Sequence, residues 1–182
     1  STQCMPAGTK SCKKLNIISN GDIKTLVMGT HASALPKRTL EEEPYDFVCQ
    51  GEGPITISNL IDVIKKNKKD YSKIPGLWYR DKDSAVNSNV RSEMFDNLDL
   101  DLPGQDWKFL DMSKYKAHNW HTFGRLDTRN KYASLQTSLG CPFKCTFCCI
   151  NAPFERNTIR FWSAKHIFNQ IKTLIEEYGI YN

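Results

Sequence analysis

Apolar residues arrive in two kinds of run along the first part of the chain. Thr25–Gly29 (TLVMG) and Tyr45–Gly53 (YDFVCQGEG) each hold a short apolar stretch and end in glycine. Such stretches bounded by turn residues suit buried parallel strands. Between them, Leu35–Glu43 (LPKRTLEEE) can form a short helix. After them, PITISNLIDVIKKNKK sets Ile57, Leu60, Ile61 and Ile64 at helical spacing, with Pro54 where a first helical turn accepts proline. Strand, glycine turn and helix, repeated, predict an open α/β sheet.

Gly76–Val90 (GLWYRDKDSAVNSNV) reads as a hairpin turning at Asp81-Lys82-Asp83. The acidic stretch Phe95–Met112, with Pro103 and Gly104, is expected to be a connector. A second block opens with a strand over Tyr132–Gly140 that delivers a cysteine-rich loop at its C-terminal end. A helix follows, with Ser163 as N-cap, Ile167, Ile171, Leu174, Ile175 and Tyr178 as its apolar stripe, and Gly179 as C-cap. That unit matches the first repeat of an α/β barrel or sheet, where reactive groups gather at strand C-termini. The expected divisions are 1–75, 76–131 and 132–182.

Composition narrows the function. Forty percent apolar and 11% aromatic residues are enough for a packed core. The net charge of +5 would suit nucleic acid, but the lysines are scattered and form no basic stripe with interleaved aromatics. The densest run, Lys65–Asp70, closes a helical pattern, where cations suit the negative end of the helix dipole. No apolar run reaches the roughly 20 residues of a membrane span, and no secretory signal is visible. The seven cysteines are odd in number and clustered, which argues against a disulfide framework and for a reducing cytoplasm.

Four of those cysteines lie within TSLGCPFKCTFCCI, spaced Cys141-x3-Cys145-x2-Cys148 with Cys149 adjacent. A structural zinc site closes a tetrahedron with four ligands. Cys149 points away from its neighbour, and His118 and His121 would have to complete the set from well upstream. An iron–sulfur cluster suits three thiolates better, because one iron is then left open for another ligand. Gly140 and Pro142 let the backbone wrap the first thiol, and Phe147 offers a flat apolar face. Three buried cysteines acting as small hydrophobes would be the bland alternative.

This cysteine triplet, with an aromatic before its last member, resembles the signature of radical S-adenosylmethionine enzymes. The resemblance implies a [4Fe–4S] cluster on Cys141, Cys145 and Cys148, S-adenosyl-L-methionine chelated at the open iron, and Phe147 near the adenine. It gives Cys149 no role. Leu26–Gly53 in turn resembles the C-terminal half of the doubly wound, Rossmann-like cobalamin-binding domain that precedes the radical barrel in one large subclass. By that match Gly29, Thr30, His31, Gly51, Glu52 and Gly53 form the corrin edge, since glycines at strand ends admit a bulky cofactor. STQC at the start would be the remnant of a preceding loop facing the corrin.

The implied fold is α/β: the C-terminal half of that domain, then the first strand–helix unit of a (β/α) barrel. The implied activity is cobalamin-dependent radical chemistry, with methyl transfer to an unactivated centre expected and cyclisation or rearrangement as the alternative. A zinc-stapled binding module is the alternative from a different class. A small-molecule substrate and an electron donor such as flavodoxin or ferredoxin would be the partners. The Asp-x-His-x-x-Gly and Gly-Gly-Glu segments of the family have no counterpart in these residues. A complete barrel takes on the order of 200 residues or more, so the chain is expected to be an interior piece of a longer enzyme, inactive alone. Arg156 and Arg160, after the cysteines, can reach a cofactor carboxylate or belong to an ordinary loop. Tyr115–Ser134, with Trp120 and Phe123, can cover the cofactor mouth or pack as a surface loop.

Overall fold

The computed structural model describes residues 4–117 and 130–181. Its first sheet is mixed and runs in the order β1 (Leu26–Val27), β2 (Phe47–Cys49), β3 (Leu77–Arg80), β4 (Val86–Ser88). β1 and β2 are parallel, pairing Leu26 with Phe47 and Val27 with Val48. The hairpin β3–β4 adds on antiparallel through Val48 and Trp78, so Gly76–Val90 extends the sheet. Thr25 and Asp46 lock the register at the strand starts. The Asp46 carboxylate accepts from the Thr25 N–H (2.8 Å) and hydroxyl (2.7 Å), and the Asp46 N–H donates to the Thr25 Oγ1 at 3.1 Å.

Strand alternation sends neighbouring residues of β2 to opposite faces, and helices cover both. On one face α2 (Thr30–Ala34) and α3 (Pro36–Glu42) pack Ala32 and Leu40 on Val48. On the other, α4 (Pro54–Lys65) joins Leu60 to Phe47, Ile74 and Leu77. Arg80 reaches from β3 to the end of α3 and donates to the carbonyls of Leu40, Glu43 (3.2 Å) and Tyr45 (2.9 Å), which caps that helix with a cation. α4 turns a different face inward than its isoleucines predict. Thr56 and Leu60 are buried and Val63 packs on the core, while Ile61 and Ile64 stay exposed. The Thr56 hydroxyl, fully buried, donates to the Pro75 carbonyl at 2.6 Å and so fixes the rotation of the helix.

One helix had no clear sequence signal. Met5–Ile18 forms α1, with Pro6 in its first turn and Cys12 buried against Thr25 (3.3 Å) and the Pro44 carbonyl (3.1 Å). Its Leu15, Ile17 and Ile18 are exposed, so no amphipathic stripe marks it. Cys4 is the residue before this helix, and the rest of STQC lies outside the described residues.

The chain divides into two compact units, Ser1–Met94 with Gly140–Thr158, and Phe95–Leu139 with Ile159–Asn182. In the second, the acidic stretch is more than a connector. It forms α5 (Leu98–Asp101) and two short 3-10 turns that bury Trp107 and Met112 with Leu174 and Ile180. The Trp107 indole N–H donates to Gln170 at 2.9 Å. The expected strand is short, β5 (Ser138–Gly140), and it pairs with β6 (Ile159–Phe161), a segment the sequence presents as loop. α6 (Ala164–Tyr178) carries both expected caps. The Ser163 side chain accepts from the His166 N–H, and Gly179 takes the left-handed conformation at φ 62°.

No helix among the described residues is long and apolar enough to cross a membrane. Leu77 sits at the centre of the first sheet with no exposed surface. Leu77→Ala is expected to lower stability by about 2–5 kcal/mol, the usual cost of a large-to-small core change, read from the shift of a urea unfolding midpoint.

Candidate metal centre

The cysteine loop begins where β5 ends. Gly140, at φ 89°, turns the chain at a value that L side chains rarely adopt. Beyond it Cys141 is partly exposed, while Cys145, Cys148 and Cys149 are exposed, and all four are free thiols. The Cys148 N–H donates to the Cys145 carbonyl at 3.1 Å, which closes a tight turn around Thr146 and Phe147. The Phe147 ring is 91% exposed, so its face is open to a planar partner. The three thiols share one short loop, yet among the described residues no three metal-ligating side chains converge on a common point.

Asn151 organises the loop. Its Oδ1 accepts from the Cys141 N–H at 3.0 Å, and its Nδ2 donates to the Cys141 carbonyl at 2.8 Å. The same nitrogen lies 3.4 Å from the Phe143 carbonyl and 3.0 Å from Asn157 Oδ1. Arg91 holds the return limb. It donates to the Ala152 carbonyl at 2.6 Å and pairs with Glu155 at 3.1 Å. Neither Asn151 nor Arg91 carries a motif that sequence reasoning could use, because each bonds backbone atoms of another segment, ten residues back for Asn151 and 61 residues on for Arg91.

The second of the two glycine turns lies beside this limb. Gly29 (φ 110°) ends β1, and Gly51 (φ 120°) and Gly53 (φ 105°) follow β2. The Ser33 hydroxyl oxygen accepts from the Gly51 N–H at 3.1 Å, and Gln50 donates to the Ser33 carbonyl at 3.2 Å, so the turns are tied together. A Cβ at Gly29 would meet nothing within 4 Å among the described residues, whereas one at Gly51 would stand 4.0 Å from the Pro153 carbonyl oxygen. Gly53 has a packing role: a Cβ there would fall 2.5 Å from Met28 Cε. Thr30 and His31 begin α2, both half-buried, and Glu52 is half-buried between Gly51 and Gly53.

The donor set fits an iron–sulfur cluster in its chemistry, since it offers accessible soft thiols. The open backbone at Gly29 likewise fits a bulky ring at the sheet edge. Cys49 is different: burial pushes its thiol up, against a weaker opposing hydrogen bond with Thr56. Arg160 donates to the Phe95 carbonyl within the second unit, which gives it a structural use. His118, His121, Trp120 and Phe123 lie outside the described residues.

No protein-family model matches the chain. An uncharacterized methyltransferase of Pyrococcus horikoshii is 30% identical over 162 residues, covering 88% of this chain and 32% of the relative. The anaerobic magnesium-protoporphyrin IX monomethyl ester cyclase of Rubrivivax gelatinosus is 26% identical, covering 98% of this chain and 31% of the relative. Among solved structures, the cobalamin-dependent S-adenosylmethionine radical enzyme OxsB with aqua-cobalamin bound superposes with a TM-score of 0.65 at 22% identity. That match covers 94% of this chain and 22% of OxsB. The chain thus shares its fold with part of a cobalamin-dependent S-adenosylmethionine radical enzyme and is related in sequence to a methyltransferase and a cyclase. It spans about a third of the length of the curated relatives it matches.

Two outcomes follow from this geometry. Alkylation of the metal-free protein at neutral pH is expected to label Cys4, Cys145, Cys148 and Cys149 quickly, and to reach buried Cys12 and Cys49 only on unfolding, as mass spectrometry of the peptides would read. Arg91→Ala should release the return limb and raise amide hydrogen exchange across Ala152–Thr158 several-fold, while β2 and β3 keep their protection.

Proposed function

We propose that this chain forms the cofactor-binding part of a cobalamin-dependent radical S-adenosylmethionine enzyme, a methyltransferase acting on a small molecule at an unactivated centre. The observation that carries the reading is the placement of the Cys141–Cys148 loop. It leaves the C-terminal end of β5, and its return limb lies against Gly51, beside the glycine turns that end β1 and β2. Cys141, Cys145 and Cys148 would hold the cluster. Gly29, Thr30, His31, Gly51, Glu52 and Gly53 would form the corrin edge.

When bound, the cluster supplies the electron that splits S-adenosylmethionine into methionine and a 5'-deoxyadenosyl radical, and methylcobalamin supplies the methyl group. The chain's own task is positioning. Phe147 would stack on the adenine, and the Gly51–Pro153 approach would hold the thiol loop beside the corrin edge, so that reactants meet in a fixed geometry. An external one-electron donor such as flavodoxin or ferredoxin would reduce the cluster, in a reducing cytoplasm that keeps the thiols free. The cyclase relative from Rubrivivax gelatinosus, matched over nearly the whole chain, favours ring closure without methyl transfer as the second reading.

Anaerobic assembly with ferrous iron and sulfide is expected to give a brown protein with about four irons per chain, the content of a [4Fe–4S] cluster. Replacing Cys141, Cys145 or Cys148 by serine should each bring bound iron to near background, while Cys149→Ser leaves it unchanged. A colourless protein that retains stoichiometric zinc would instead support a zinc-stapled binding module.

A further inference from the structure

The Asn151 carboxamide does something no other side chain in the loop does: it pairs with both peptide groups of one cysteine. Its acceptor oxygen takes the Cys141 N–H at 3.0 Å, and its donor nitrogen gives to the Cys141 carbonyl at 2.8 Å. This is the exchange that two residues make across an antiparallel ladder, with a side chain standing in for the partner strand. Its position is also distinctive. β5 ends at Gly140, so Cys141 is the first residue past the strand and has no ladder of its own. Asn151 supplies that missing pairing from ten residues ahead.

We infer that Asn151 is the positioning residue for the first thiol of the cluster site, acting through the backbone of Cys141. The inference rests on the cluster reading given above. Only a carboxamide provides an acceptor and a donor at this spacing. Asparagine also holds its second hydrogen to the Phe143 carbonyl and Asn157 Oδ1, which ties the entry limb of the loop to its exit limb. With the Cys141 N–H committed to Asn151, that amide does not turn toward sulfur, so Asn151 decides where the thiolate points and which dipoles face the metal.

Aspartate tests this with almost no change in shape. It keeps the acceptor for the Cys141 N–H, but places carboxylate oxygen against the carbonyls of Cys141 and Phe143 in place of a donor. The full chain is compared with Asn151→Asp, Asn151→Ala and Asn157→Ala, first metal-free and then after anaerobic assembly. In the metal-free protein, Asn151→Ala is expected to raise hydrogen exchange at the Cys141 amide by tenfold or more, while Asn151→Asp leaves that amide partly protected. After assembly, both Asn151 variants should lose iron to a chelator several-fold faster than the unsubstituted chain, and Asn157→Ala should change the rate little. Asn151→Asp should in addition lower the midpoint potential of the cluster and alter the electron paramagnetic resonance signature of its reduced form, because a negative charge disfavours the added electron.

Unchanged exchange at Cys141 in Asn151→Ala would overturn the inference at the apo stage. Unchanged chelation rate, potential and spectrum in both variants would overturn it at the cluster stage. Loss of protection at Cys141, with no cluster formed by the unsubstituted chain, would retain the clamp and reject the cluster reading on which its purpose depends. Misfolding of Asn151→Ala, seen as lost protection in β2 and β3, leaves the isosteric Asn151→Asp to decide.

Discussion

The reciprocal bonds between Thr25 and Asp46 set the terms for the rest of the first unit. Two residues of β1 and three of β2 form too short a ladder to fix register by themselves. Asp46, whose carboxylate accepts from both the backbone N–H and the hydroxyl of Thr25 and whose backbone N–H donates back to the Thr25 hydroxyl oxygen, pins the strand starts. A slip by one residue would exchange Phe47 and Val48 between the two helix-covered faces. With the starts fixed, the strand ends are fixed too, and the glycine turns at Gly29 and Gly51 emerge side by side.

Both turns take conformations that favour glycine, with φ 110° at Gly29 and 120° at Gly51. At Gly51 a larger residue would strain the turn through its φ of 120°, while the Pro153 carbonyl oxygen stands at ordinary contact distance. The side chains that do the holding, Ser33, Gln50, Arg91 and Asn151, each address a backbone group ten or more residues away.

This explains which parts of the molecule were legible in the sequence. The apolar runs of β1 and β2, the proline start of α4 and the Ser163 and Gly179 caps of α6 are local signals, and the structure carries all of them. The spacing of Cys141, Cys145 and Cys148 was likewise a local signal. Tertiary choices were not legible. The buried face of α4 follows the hydroxyl of Thr56 rather than the isoleucines, and Trp107 and Met112 are drawn into a core by residues some sixty positions downstream. α1 was missed because its packing side shows little more than Cys12, while its isoleucines face outward.

The bond from Arg91 to Ala152 spans 61 positions of chain. A contact so distant in sequence closes late, because loop entropy must be overcome before it forms. At a ribosomal pace of about 5–20 residues per second, several seconds separate the synthesis of the two partners. The sheet, with its covering helices and paired glycine turns, can be complete before the first clustered thiol is made. Any metal delivered to those thiols would then meet an assembled platform, and the nascent cysteines would spend little time without a surface to settle on.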